Sequence, residues 1–207
     1  MAELKKEGRW WWPKWDSHTC KITPEEAKRI PEYLELVPRR GLVVQAGGNA
    51  GVFPQVLAEH FRKVITFEPD PDNFACMERN ITASNVEMYN KALGDRPTFG
   101  EVYREKENEH NSGGTMVREG MDVPVLPLDH IPLDGLDFLF LDVEGWEGPA
   151  VRGAEAHIER FRPVISLEMK GIGDKLGWPE QETIEWLAAR GYRIAEGIGR
   201  DKIFVPC

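Results

Sequence analysis

Long hydrophobic runs are missing from this chain. Apolar residues nowhere accumulate over the ~20 positions that a membrane-crossing helix needs, and no signal-peptide-like apolar core opens the sequence. Cysteine is scarce as well. Cys20, Cys76 and Cys207 are odd in number, scattered and without metal-ligand spacing, so a cytoplasmic, reducing compartment is expected. Positive charge is in deficit: 26 Lys and Arg against 35 Asp and Glu leave a net charge of −9. Phosphate-backbone binding runs on Lys and Arg, so no nucleic-acid partner is expected. The one basic stretch, with Lys28, Arg29, Arg39 and Arg40, reads as a solvated helix face. Repeats, low-complexity tracts and long linkers are absent too. One domain of 207 residues with 41% apolar content is the resulting expectation.

What the chain does have begins at Gly41. An apolar run (Leu42, Val43, Val44) leads into a glycine-rich turn (Gly47, Gly48, Gly51) and a helical pattern, then a second apolar run (Val64, Ile65, Phe67) ends in Glu68. A strand–turn–helix–strand unit with a carboxylate at its second strand tip is a layout that holds a nucleoside. Glycines let backbone approach a ligand, and the acid can accept from two ribose hydroxyls.

Around this unit, Trp10, Trp11, Trp12 and Trp15 crowd an N-terminal arm, residues 1–22, ahead of a domain over 23–207. Thr23-Pro24-Glu25-Glu26 predicts a helix N-terminus with proline in the first turn. Asp70-Pro71 opens a helix expected to bury Phe74, Met77 and Ile81, and Val86–Asn90 reads as a strand. Residues 96–127 lack helical period and predict an insertion of two or three short strands flanking a polar loop, Glu105–Gly114. Leu136–Val143 is a strand buried on both faces, followed by one helix with Val151, Ala154, Ile158 and Phe161 on a stripe. Pro163–Met169 is a strand, a helix carries Ile184 and Leu187, and Tyr192–Ile198 with Lys202–Val205 closes the chain as an antiparallel hairpin. Alternating strands and helices imply a three-layer α/β/α sandwich around a mostly parallel sheet.

Two cofactors suit a glycine loop with a strand-end acid: a nicotinamide dinucleotide and S-adenosylmethionine. The spacing Gly47-Gly48-x-x-Gly51 matches the dinucleotide pattern G-x-G-x-x-G imperfectly. Further motifs occur in order: VVQAGGNAGVFP, ITFEPDPDNF, NKALGD, LPLDHI, FLFLDVEGWEGPAVRGAEAHIERFRPVISLE and KIFVP. From Gly41 to Pro206 the chain resembles the FkbM-type methyltransferases, a branch of the class I S-adenosylmethionine-dependent fold. The resemblance implies a Rossmann-like sandwich with a seven-stranded sheet, S-adenosylmethionine as cofactor, and O-methylation of a small-molecule or glycan-like acceptor. Two departures stand out: Gln45 occupies a position that is usually acidic and helps hold the methionine part, and Phe140 stands where a lysine is usual.

On this reading Gln45, Gly47, Asn49 and Gly51 face the methionine and ribose, and Glu68-Pro69 takes the ribose hydroxyls. Asn73 and the Asn90-Lys91-Ala92 turn flank the adenine. Asp142 is expected at the cofactor's amino group or the reacting centre. Glu144, Glu168 and His110 are the expected catalytic residues, orienting substrate or taking its proton. Three carboxylates could hold a divalent cation, yet a metal-free cleft is the expectation. The tryptophans are expected to pack across the sheet's flank or in a homodimer contact, with a lid over the cleft as the functional alternative. A cofactor-binding module without catalysis and a small NAD(P)-dependent reductase remain as rival readings.

Overall fold

In the computed structural model, which describes residues 2–207, the arm forms a hairpin of β1 (Leu4–Glu7) and β2 (Trp10–Pro13). Strand alternation sends Trp10 and Trp12 to one face, where both are buried against Cys20, Ala27, Ala50, Val52 and Cys76. Trp11 lies on the other face beneath Arg79. Two helices follow, α1 (Thr19–Glu26) and α2 (Ile30–Leu34). The helix start expected at Thr23 lies instead at Thr19. The buried Asp16 carboxylate supplies the cap, accepting from Thr19 N at 3.2 Å and Cys20 N at 2.9 Å, so Pro24 falls inside the helix.

The alternating region runs β3 (Leu42–Ala46), α3 (Val52–Leu57), β4 (Lys63–Phe67), α4 (Pro71–Asn80) and β5 (Val86–Tyr89). Next come the short strands β6 (Ala92–Leu93), β7 (Thr98–Tyr103), β8 (Met116–Glu119) and β9 (Val123–Leu126). They form a separate four-stranded sheet, β6-β9-β7-β8, in which β7, β8 and β9 are the strands expected over 96–127 and β6 precedes them. The chain then returns through β10 (Phe138–Leu141), α5 (Glu147–Arg152), α6 (Glu155–Phe161), β11 (Val164–Glu168), α7 (Ile172–Lys175), α8 (Glu180–Ala189), β12 (Tyr192–Ile198) and β13 (Asp201–Pro206).

The main sheet has seven strands in the order β12-β13-β11-β10-β3-β4-β5. Only β13 runs against its neighbours, inserted between β11 and β12, as a mostly parallel sheet with a closing hairpin requires. Val43, Val64, Phe138 and Phe140 face α2 and α3, while Val44, Leu139, Leu141 and Ile165 face α5, α6 and α8. Full burial of each large side chain is worth about 1.5–3 kcal/mol, so both layers are held firmly. Strand order reverses between β3 and β10, and this opens a crevice at their carboxyl ends. Among the described residues no helix is long and apolar enough to cross a membrane.

Two helices differ from expectation. α4 buries Asn73, Cys76, Met77 and Asn80, not the Phe74 face, because Asp70 caps it and the tryptophan hairpin covers Cys76 and Asn80. The single helix expected after β10 is broken at Ala154. Asp129 gives α6 its own cap, accepting from Ala156 N at 2.9 Å and His157 N at 3.0 Å.

Asp16 also accepts from Ser112 N at 2.9 Å, joining the arm to the insertion loop. Burial alone would raise its pKa, but the N–H groups of Ser112, Cys20 and Thr19 outweigh burial and lower it. Its stabilisation is therefore present above the unfolded value, about 3.9, and is lost as pH falls through the depressed folded value. Asp16→Ala is expected to lower unfolding free energy by about 3 kcal/mol at pH 7, with the difference shrinking below about pH 4. Urea denaturation at the two pH values checks this, and an unchanged midpoint at pH 7 contradicts the capping role.

Candidate functional site

The carboxyl ends of the sheet open into a cleft of about 420 Å³, roofed by α1 and the insertion loop. Its narrow waist is the touch between the loops after β3 and β10. Gly47 has φ +82°, and a Cβ there would lie 1.7 Å from the Asp142 carbonyl oxygen, so only glycine fits. Asn49, itself left-handed at φ 47°, donates its N–H to Glu68 Oε2 at 2.6 Å. Asp70 N donates to Glu68 Oε1 at 2.8 Å. The Glu68 carboxyl is buried, and burial first, then the Asp70 charge, pushes its pKa up to about 8 against those two N–H groups. Asp70 is itself paired with Arg104 at 2.5 Å, and that guanidinium lies 3.9 Å from the Trp15 ring centre.

Gly47, Asn49, Glu68, Pro69, Asn73, Ala92, Asp142, Glu144 and Glu168 all line this one cleft. Four other expected site residues do not. Gln45 is buried beneath the loop: its Nε2 donates to Ala46 O at 3.2 Å and Gly47 O at 2.9 Å, and its Oε1 accepts from Thr66. A carboxylate there would face two carbonyl oxygens without a proton to give them, which accounts for an amide at this position. Gly51 lies close against Met77 and Ile81 of α4 instead of the cleft. Asn90 braces the β4–α4 turn from behind, donating to Glu68 O at 2.8 Å and Pro69 O at 3.0 Å. His110 is exposed beside Glu109, 3.6 Å away, while Ser112 and Gly113 of the same loop turn inward.

The tryptophan part of the arm is likewise not the lid. None of its four indoles lines the cleft; the segment that does, His18 to Glu26, follows them. Thr19 Oγ1 donates to Asn111 Oδ1 at 2.6 Å and accepts from Gly113 N at 2.8 Å, which latches α1 to the insertion loop.

Across the waist, Asp142, Glu144 and Glu168 bring carboxylate oxygens within 4.8 Å of one another. Lys170 lies among them, its ammonium 2.8 Å from Glu144 and 2.8 Å from Glu168. The Glu168 contact is an ion pair without hydrogen-bond alignment, since its buried Oε2 has no hydrogen-bond partner. Burial first, then the charge of Glu168, raises the Asp142 pKa. Burial also raises Glu144 against the pull of Lys170. Glu144 sits at φ 53° and is followed by Gly145 at φ 93°, a left-handed pair that costs about 1–2 kcal/mol at the non-glycine residue. Glu147 holds that turn from within, accepting from Val143 N at 3.0 Å and Gly145 N at 3.3 Å; burial raises its pKa to about 8.

Asp201 faces the cluster from β13, in register with Glu168, and accepts from the Tyr33 hydroxyl. Burial lifts the Asp201 carboxyl to about 6 against that hydrogen bond. Phe140 packs against Tyr33 and Phe53, as its apolar surroundings predict. Lys170, Tyr33, Asp201, Ser112 and His18 were missed from sequence. Lys170 lies two positions beyond Glu168, in the bend that follows β11.

The structure is similar to an FkbM methyltransferase from Methylobacillus flagellatus KT, with TM-score 0.52 and 18% identity over 93% of this chain. This chain spans 60% of that protein's length. Magnesium protoporphyrin IX methyltransferase from Synechocystis PCC 6803, with bound SAM, gives TM-score 0.52 and 12% identity over 91% of this chain and 81% of its own. A precorrin 8w decarboxylase from Methanobacterium thermoautotrophicum gives 0.51 and 14% over 86% and 88%. At these identities the likeness is one of fold. No curated protein matches the chain. The family model for the methyltransferase FkbM domain matches residues 45–194, well over half of the chain, and the protein therefore belongs to the FkbM methyltransferase domain family.

Proposed function

We propose that the protein binds S-adenosylmethionine across the waist of the cleft and methylates a hydroxyl oxygen of a small-molecule or glycan-like acceptor. The observation that carries this reading is the buried Glu68 carboxylate, pinned by Asn49 N and Asp70 N at a strand tip beside the glycine loop. Each of its oxygens keeps lone-pair capacity for a ribose hydroxyl. A second fit supports it: Asn73 Oδ1 is buried in the lining without a hydrogen-bond partner, an acceptor suited to an adenine amino group. Asp142, across the waist from Gly47, suits the cofactor's amino group. Pro69 and Ala92 offer flat, small surfaces for the purine.

When bound, S-adenosylmethionine supplies a methyl group already activated on sulfur. The residues then need to align an acceptor and exclude water. Glu144 and Glu168, beyond Asp142, would orient the acceptor hydroxyl, and one of them would receive its proton as the methyl carbon exchanges its bond to sulfur for one to oxygen. Several carboxylates around one pocket favour an acceptor rich in hydroxyl donors. The surplus of acidic residues counts against nucleic acid.

Calorimetry with S-adenosylmethionine and with NADPH tests the cofactor. Preference for NADPH favours a reductase, and binding without turnover across a panel of hydroxylated acceptors favours a module without catalysis. Glu68→Ala is expected to weaken S-adenosylmethionine roughly 100-fold, since hydrogen bonds to a charged group are lost; unchanged affinity contradicts the ribose role. A pH dependence follows from the raised Glu68 value. In the free protein this group contributes stability below its unfolded pKa and loses it as pH rises through about 8. Hydroxyls donate best to the ionised form, so adenosine, which carries no group titrating in this range, is expected to bind more tightly at pH 9 than at pH 7. Glu68→Gln is expected to abolish that slope, and a wild-type profile that is flat contradicts the assignment.

A further inference from the structure

The cluster beyond the waist has one feature that the cofactor does not explain. Three carboxylates within 4.8 Å of one another repel strongly when ionised, by about 1–4 kcal/mol per pair at 4 Å. β10 carries no cation of its own between Phe138 and Leu141. The charge is met from the next strand: Lys170 leaves β11 two residues after Glu168, held by Met169 N donating to Arg200 O at 3.1 Å. Its side chain is 22% exposed, and the ammonium reaches both Glu144 and Glu168 at 2.8 Å. An oxygen-bound divalent ion needs ligands at about 2.0–2.6 Å. An ammonium at hydrogen-bond distance from two of the three acids occupies that volume. It also carries the charge that such an ion would bring.

We propose that Lys170 is the resident cation of the acceptor site, holding Glu144 and Glu168 toward the acceptor hydroxyl in place of a divalent metal. This rests on the methyl-transfer reading for the purpose of the carboxylates, but not for the cation itself. Lys170 acts as a positioning residue. It stays protonated: burial works against the charge, yet Glu144, Glu168 and Asp142 outweigh burial and raise its pKa. The same ion pair compensates the left-handed backbone of Glu144, which aims that side chain at the ammonium. Removing the amine leaves three converging carboxylates and a cavity, which is a divalent-cation site.

Mn²⁺ titration followed by electron paramagnetic resonance tests the proposal on the full chain. The wild type is expected to show no bound Mn²⁺ up to millimolar concentration. Lys170→Met is expected to gain one site at roughly 10⁻⁴ M, lost again in Lys170→Met/Glu144→Gln, while Lys170→Arg keeps the ion out. Lys170→Gln serves should the methionine variant not fold. Wild-type protein that binds one Mn²⁺ in a Glu144-dependent manner overturns the proposal, as does a folded Lys170→Met or Lys170→Gln that gains none. S-adenosylmethionine affinity of the wild type separates the two readings. Its absence in the wild type sinks methyl transfer and leaves the cation result standing.

Discussion

Glu68 accepts from two backbone N–H groups in a setting where burial and Asp70 both oppose its charge, and the arrangement around it depends on that compromise. The bond from Asn49 N draws the glycine loop onto the tip of β4, and the bond from Asp70 N sets the start of α4. With the loop held there, Gly47 meets the Asp142 carbonyl and narrows the cleft to a waist. The waist itself is closed from the other side, where Asp142 N donates to Ala46 O at 3.1 Å. A carboxyl that is costly to ionise in the free protein is stabilised by a ligand that donates to it, so affinity and loop geometry are linked.

A second constraint closes the roof. Asp16 caps α1 and also accepts from Ser112, so arm and insertion loop share one buried anion. The tryptophans next to it are anchors: Trp10 and Trp12 are buried in the protein's own hydrophobic layer, and Trp15 donates to Asp72 at 3.1 Å while Arg104 stacks on its face. Their area holds the hairpin to α4, which fixes α1 over the cleft. The part of this region that lines the cleft is therefore the helix that follows the aromatic cluster.

The carboxylate cluster follows a different logic. Glu144 follows β10 and Glu168 ends β11, and both are balanced by Lys170, while Asp201 at the start of β13 accepts from Tyr33 of α2. Such a pocket holds several hydrogen-bond acceptors around one fixed ammonium. That Gly47, Asn49, Glu68 and Asp142 line one cleft was legible in the sequence, because all four sit at turns that immediately follow strands. Gln45 and Asn90 were misassigned because each lies near the right turn but points into the scaffold, where carbonyl oxygens take its amide protons. His110 shares a loop with Ser112 and Gly113, and backbone direction within that loop sends only the latter two inward.

The order and kind of elements, the glycine turn and the acids at strand ends were decided by the sequence alone. Apolar periodicity, turn chemistry and strand polarity are local properties that a chain carries before it folds. Which of those acids share a cleft was decided by tertiary structure, through the reversal of strand order between β3 and β10 and the insertion of β13 beside β11. The cap on α1, the latch to the insertion loop and the meeting of Lys170 with Glu144 were decided there too. The latch joins groups 92 to 96 residues apart and Lys170 meets Glu144 across 26 residues, while the cap on α1 depends on burial that local pattern does not encode.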